Sequence, residues 1–223
     1  MLHKSVDSPS PSSIFLLKMF ITFEGIEGSG KSTQAKLLVD FLLKKGYRTT
    51  LTREPGENLL GNLIRRVLLE DEIELDPLAE LFLFCADRSQ HVRDFIRPRL
   101  SSEKIVVCDR FTDSTVVYQG YGRGLNMEFV KSVCDAASLG LKPDLTILLD
   151  CPVKVGLSRL TGRGKKTKMD TEPIEFHEKI REGYLKLAEK EPERIKVIDA
   201  SRSEDKVWED VKRIVLLKAV ISV

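Results

Sequence analysis

Residues 20–38 read FITFEGIEGSGKSTQAKLL. The run Phe20-Ile21-Thr22-Phe23 has the apolar character of a buried strand, and Thr33-Gln34-Ala35-Lys36-Leu37-Leu38 opens a helix-forming stretch. Between them, Gly25-Ile26-Glu27-Gly28-Ser29-Gly30-Lys31-Ser32-Thr33 completes the pattern G-x-x-x-x-G-K-S. In that context the physics of each position is legible. Gly25, Gly28 and Gly30 let the backbone turn and gather its N–H groups around an anion at a helix N-terminus. Lys31 adds a mobile positive charge, and the Ser32 hydroxyl sits where it can join a Mg²⁺ ion beside phosphates. The segment predicts a strand, a phosphate loop and a helix that together bind a nucleoside triphosphate.

The rest of the chain limits what surrounds this loop. A length of 223 residues with 42% hydrophobic content suits one α/β domain with a real core. The net charge of +2 spreads over 36 basic and 34 acidic residues, so no general field draws the protein onto nucleic acid or an acidic membrane. Cys85, Cys108, Cys134 and Cys151 are far apart, show no C-x-x-C spacing and read as buried, reduced thiols. No apolar stretch approaches the roughly 20 residues of a bilayer span, and Ile14 to Leu17 is too short for a signal-peptide core; both point to the cytoplasm. Residues 1–18, rich in Ser and Pro from Ser5 to Ser13, read as a disordered extension ahead of a single domain at 19–223.

Gly46 ends the first helix, Arg48 to Thr52 reads as a second strand and Leu59 to Glu70 as a short helix. Pro77 opens a helical stretch through about Leu100, in which Leu78, Leu81, Phe82 and Cys85 recur at helical spacing and predict one buried face. Three short apolar runs each end in an aspartate: Ile105 to Cys108 before Asp109, Leu145 to Leu149 before Asp150, and Ile195 to Ile198 before Asp199. A terminal helix follows around Trp208, Val211, Ile214 and Val215. Five strands separated by helices imply a parallel sheet with helices on both faces. Ligands of such sheets bind beyond the carboxyl ends of the strands.

Four polar segments fall near that edge. In Thr52-Arg53-Glu54-Pro55-Gly56 the arginine either forks onto a phosphate or pairs with Glu54 in a solvated turn. Phe84 and Arg88 share a helix face at i, i+4, either as a stacking ring and donor for a flat base or as a core Phe beside a surface Arg. His91, one turn further along, is weak evidence of catalysis on its own. In Asp109-Arg110-Phe111 the aspartate is placed to hold Mg²⁺ or its water and Arg110 to bind phosphate, unless the two pair with each other. Finally RLTGRGKKTK, Arg159 to Lys168, is glycine-hinged and basic; a mobile lid over phosphates fits it better than a nucleic-acid patch, since no aromatic residue interleaves.

Taken in order, FEGIEGSGKSTQ, TREPG, LFLFCADRSQH, DRFTDSTVVYQG, PDLTILLD and EFHEKIREGYLKLA resemble the thymidylate kinase family, the dTMP kinases that make dTDP from dTMP and ATP. The resemblance runs from Met19 nearly to the C-terminus. It implies a P-loop nucleoside-monophosphate-kinase-like three-layer sandwich, with the lid at about 159–172. It implies that residues 25–33 hold the ATP phosphates, with Mg²⁺ on Ser32 and Asp109. Arg53 and Arg110 would take the dTMP phosphate, Phe84 and Arg88 the thymine, and Thr115, Tyr118 and Gln119 the deoxyribose and base, Tyr118 helping to exclude a ribose 2′-OH. Some members carry the catalytic arginine inside the P-loop and others in the lid. With Glu27-Gly28 this chain resembles the second group, which implies Arg159 and Arg163 as catalytic arginines beside Lys31, Asp109 and Glu27, the last orienting the acceptor side. A homodimer formed through helices is also implied. Two departures are Glu57-Asn58 after the REPG motif, and Thr167-Lys168 where the lid usually has Asp-Arg, with Asp170 nearby. Other P-loop nucleotide kinases would share the loop and lid but not the base pocket. A GTPase switch would need an N-K-x-D-type motif, which the chain lacks.

Overall fold

The computed structural model describes residues 18–70, 73–102, 104–161 and 167–221. Its sheet has five parallel strands, β1 (Met19–Glu24), β2 (Thr49–Arg53), β3 (Ile105–Asp109), β4 (Leu145–Asp150) and β5 (Ile195–Asp199), in the order β2-β3-β1-β4-β5. Every residue of β1 is buried, as a central parallel strand covered on both faces requires. Side chains alternate between two cores. Met19, Ile21, Phe23, Ile105 and Val107 pack with Ala35, Leu38 and Leu42 of α1 (Lys31–Lys44). Phe20, Val106 and Cys108 pack on the other face against Val92, Ile96 and Leu100. Each such buried side chain contributes roughly 1.5–3 kcal/mol relative to exposure, so the central strand anchors the loop that leaves it.

Register sets the position of the site. Phe23 of β1 and Arg53 of β2 both pair with Asp109 of β3, so the three carboxyl ends align on one edge. The second strand therefore runs one residue nearer the site than the Arg48 to Thr52 expected from sequence, because Arg53 completes the ladder with Asp109.

The helical segments are more broken than their sequence periodicity suggests. α2 (Leu59–Arg65), capped by the Asn58 side chain accepting from Gly61 N at 2.8 Å, passes into a π-helical turn at Arg66–Glu70. α3 (Pro77–His91), capped by Asp76, continues through a π turn at Val92–Ile96 into α4 (Arg97–Ser101). Pro98 lacks an N–H and crowds the carbonyl four residues back, which accounts for the widened hydrogen-bond pattern ahead of it. α5 (Thr112–Thr115) runs into a third π turn, Val116–Gly122, followed by α6 (Met127–Ala137), α7 (Val153–Ser158), α8 (Ile174–Lys190) and α9 (Glu204–Ile221).

One expectation fails on α3. Leu81 and Cys85 are buried, but Leu78 and Phe82 are 39% and 49% exposed, so the apolar stripe is split between the core and the surface. All four cysteines are free and buried, as their apolar neighbours suggested. Residues 1–17, the greater part of the predicted extension, lie outside the described residues, as does Arg163. No helix among the described residues is long and apolar enough to cross a membrane.

Candidate active site

The phosphate loop leaves β1 at Gly25 and enters α1 at Lys31, with Gly25, Gly28 and Gly30 at φ of 142°, 73° and 95°. Gly28 is fixed by space as well as by conformation. A Cβ built there would stand 1.9 Å from the carbonyl oxygen of Gly156 on α7. Ile26, Ser29 and Thr33 complete the loop and the first turn of α1, Ile26 in the core and Thr33 exposed. Lys31 is buried, its Nζ donating to Ile26 O at 2.6 Å and reaching Ser29 Oγ at 3.4 Å. Burial, with added repulsion from Arg110, lowers its pKa to about 8. A polyphosphate on the loop would add to the counter-charge of Asp109, Glu27 and Glu24 and raise that pKa again.

This shift has a kinetic consequence. If Lys31 is the phosphate-binding cation that the loop pattern predicts, kcat/KM for ATP should fall as pH rises through about 8 and the free enzyme loses that charge. Bound phosphate raises the lysine's pKa, so kcat at saturating ATP should hold to higher pH. Steady-state profiles from pH 6 to 10 check this, and superimposable limbs for the two parameters would refute it.

Ser32 Oγ donates to Asp109 Oδ2 at 2.5 Å, bringing a hydroxyl and a carboxylate from α1 and β3 together at the loop mouth. Hard oxygen donors of this kind suit Mg²⁺, which keeps several waters and uses few protein ligands beside phosphates. Arg110 follows directly and does not pair with Asp109. At φ 73° it holds a left-handed conformation that a non-glycine residue adopts only at a cost, a feature that clusters at functional sites. Its Nη2 donates to Glu27 Oε1 at 2.8 Å, its Nη1 to Ser114 Oγ at 3.1 Å and Tyr184 OH at 3.3 Å, and its guanidinium lies 5.1 Å from the Tyr118 ring centre.

Glu27 also accepts from Tyr118 OH at 2.5 Å. Burial alone would raise its pKa, but Arg110, His177, Lys31 and Tyr118 outweigh burial and hold the carboxyl at about 2. Glu24, at the end of β1, behaves oppositely. It accepts from Phe111 N, Ser114 Oγ and Tyr184 OH, yet burial and the nearby Asp113 push it up to about 7.

At the far end of the pocket Arg88 is buried, and the Arg53–Glu54 pair weighed from sequence is not formed. Glu54 instead accepts from Arg88 Nε at 2.8 Å, and its other oxygen lies 2.9 Å from Nδ1 of His91, whose Nε2 is 2.7 Å from Thr52 Oγ1. His91 thus orients Glu54, and Glu54 orients Arg88, whose Nη2 donates to Phe111 O at 3.1 Å. Arg53 is left exposed at the pocket with no ion-pair partner among the described residues. Gln119 Nε2 donates to Glu80 at 2.8 Å, while its Oε1 is buried without a hydrogen-bond partner.

One pocket gathers most of the sequence-predicted residues: Glu27, Gly28, Lys31, Ser32, Arg53, Phe84, Arg88, Asp109, Arg110, Thr115, Tyr118 and Gln119 all line it. Leu160, Thr167, Met169 and Asp170, which fall within the predicted lid at about 159–172, line it too. Arg159 does not. It donates to Ala200 O at 2.9 Å and Ser201 O at 3.5 Å, across the loop after β5. The sequence reading overlooked Arg65, which lines the pocket and donates to Pro55 O at 2.9 Å, together with Glu24, Tyr184 and His177. Arg65 and Arg66 are adjacent, and nothing local in the sequence marks the first of them as facing the pocket.

A phosphate loop on the central strand of a five-stranded parallel sheet, opening into a pocket with a second set of arginines, defines a P-loop phosphotransferase of the nucleoside-monophosphate-kinase kind. The profile of the thymidylate kinase family matches residues 23–211. The chain belongs to the thymidylate kinase family. It is 52% identical over 197 residues to thymidylate kinase from Desulfovibrio desulfuricans, covering 85% of this chain and 91% of that one. It is 48% identical over 190 residues to the enzyme from Geotalea uraniireducens, covering 82% and 89%. The crystal structure of thymidylate kinase from Ehrlichia chaffeensis superposes with a TM-score of 0.73 at 36% identity, covering 88% of this chain and 98% of that one.

Proposed function

We propose that the protein transfers the γ-phosphoryl group of ATP in line to the 5′-phosphate of dTMP, giving dTDP and ADP for dTTP synthesis, without a covalent enzyme intermediate. The observation that carries this reading is a single pocket with Lys31, Ser32 and Asp109 at the loop, Phe84, Arg88 and Gln119 away from it, and Arg110 bonded to Glu27 of the loop while lying over Tyr118. The donor phosphates would lie on the loop N–H groups and Lys31. The dTMP phosphate would lie on Arg110 and Arg53, and thymine against Phe84 with Arg88 donating to a ring carbonyl. Thr115, Tyr118 and Gln119 would line the sugar and base. Mg²⁺, held by Ser32 and Asp109, would supply charge neutralisation at the phosphates. On this reading the protein's part is positioning, charge stabilisation and exclusion of water.

The catalytic arginine is assigned to the lid at about 159–172. Gly28 faces a backbone carbonyl where other members carry a P-loop arginine, so that position has no room for a side chain. Of the two lid candidates Arg159 is already engaged with Ala200 and Ser201, which favours Arg163. Lys168 N donates to Leu69 O at 3.1 Å, and its Nζ to Val67 O and Ile73 O, a tether between the lid's C-terminal leg and the segment after α2.

Single-turnover analysis of γ-labelled ATP with and without dTMP tests the reaction. Label should move to dTDP, and release only as inorganic phosphate would refute the assignment.

The same reading places the protein in the cytoplasm as a homodimer. Support for the dimer comes from apolar side chains left exposed on neighbouring helices: Leu59 and Leu63 of α2, Leu78 and Phe82 of α3, and Phe129 of α6. A buried charge at their centre should prevent association, so Phe82→Glu should sediment as a monomer at micromolar concentration where the unaltered protein sediments as a dimer. Identical sedimentation of the two would remove α3 from the interface.

A further inference from the structure

Glu27 has two oxygens in different circumstances. Oε1 accepts from both Arg110 and Tyr118, whereas Oε2 is buried without a well-aligned hydrogen bond. His177 of α8 is fully buried, and both of its ring nitrogens are likewise without one. These groups face each other: His177 Nδ1 lies 3.3 Å from Glu27 Oε2. Buried polar atoms in folded proteins nearly always find partners, and a small rotation of the imidazole turns this approach into a hydrogen bond. The ring is steadied by edge-on packing against Phe176, at 6.0 Å between centroids.

We propose that His177 is a positioning residue for the acceptor side of the reaction. It donates from Nδ1 to Glu27 Oε2 and so holds the carboxylate in the one orientation in which Oε1 fixes Arg110 and Tyr118. The charged or titratable groups that face Glu27 are Arg110 after β3, Lys31 of α1, Tyr118 of the third π turn and His177 of α8. Arg110 has two demands on it, since the guanidinium that would bind the dTMP phosphate also serves Glu27. When a phosphate draws on Arg110, a carboxylate held only through Oε1 is free to swing and take the arginine or Tyr118 with it. A donor on Oε2 removes that freedom. His177 never touches substrate; it acts through Glu27 on Arg110.

This inference rests on Arg110 being the acceptor-phosphate ligand, and that premise has its own test: an Arg110→Ala protein with unchanged KM for dTMP would sink the acceptor assignment whatever His177 does. With the premise standing, His177→Phe keeps the ring volume and removes the donor. It should raise KM for dTMP about tenfold, the scale of one buried polar group left unpaired, with KM for ATP within about twofold. His177→Asn, whose side-chain amide nitrogen falls near the imidazole Nδ1, should restore KM for dTMP to within about threefold of the unaltered protein. An unchanged KM for dTMP in the phenylalanine variant overturns the proposal. So does a parallel loss for both substrates that asparagine fails to repair, which would mark His177 as a packing residue. Should the phenylalanine variant not fold, the unaltered protein labelled with ¹⁵N-histidine decides: an Nδ1-protonated His177 supports the proposal, and a neutral ring protonated only at Nε2 overturns it.

Discussion

Lys31→Ala should lower kcat by about a thousandfold or more while leaving the protein folded. Removing one preorganised charge from a site of transition-state charge development costs on that order. The structure adds a reason to expect a folded variant. Lys31 is buried as a cation beside Arg110 and its charge is disfavoured there, so the resting fold does not depend on it. Its two contacts, Ile26 O and Ser29 Oγ, belong to the loop itself. Turnover by stopped assay and melting by circular dichroism check the two halves. A folded variant with near-normal turnover would refute the phosphate role of the loop.

Arg88→Leu should lower kcat/KM for dTMP about a hundredfold and narrow the preference for dTMP over dCMP. On the proposed reading the guanidinium offers donors to a ring carbonyl, and cytosine would present an amine at that place, so donor would meet donor at a cost of roughly 1–3 kcal/mol. Unlike Lys31, Arg88 also carries the fold. It is 2% exposed, pairs with Glu54 and lies 5.2 Å from the Phe111 ring centre. Stripping one partner from a buried ion pair costs about 3–5 kcal/mol, which His91 on the other oxygen of Glu54 reduces. A lower melting temperature is therefore expected alongside the kinetic change. The ratio of kcat/KM for the two acceptors, measured in one preparation, is unaffected by the fraction folded. An unchanged ratio would remove Arg88 from base reading.

The contrast between these two residues shows what a sequence makes legible. Lys31 is readable because its role is written locally, in glycines and a lysine at fixed spacing between an apolar run and a helix. Four of the five strands are readable for the same reason, each a short, mostly apolar run closed by an acidic residue. The partners of Arg88 are not. Glu54 lies in a turn, where it reads as the partner of the adjacent Arg53, and His91 reads as a stray histidine. Only the placement of α3 beside the end of β2 makes Thr52, His91, Glu54 and Arg88 one chain of hydrogen bonds. The split of the α3 stripe has a similar origin. Helical spacing reports which residues share a face, but whether that face meets the core or the outside depends on neighbouring helices. The π turns were invisible because they adjust hydrogen bonding without changing the apolar pattern.

The tight approach of Gly28 to Gly156 makes the loop and the start of α7 a matched pair of surfaces. A Cβ on Gly156 would stand 2.6 Å from Glu27 O, just as one on Gly28 would stand 1.9 Å from Gly156 O. Neither position can therefore be altered alone. An engineer wishing to graft a fixed arginine into this phosphate loop would first have to lift α7 away from it, and with α7 would move the segment that leads into the lid. On the proposed reading, in which the lid carries the catalytic arginine, charge built into the loop and charge supplied from the lid are alternatives that the contact of Gly28 with Gly156 sets against each other.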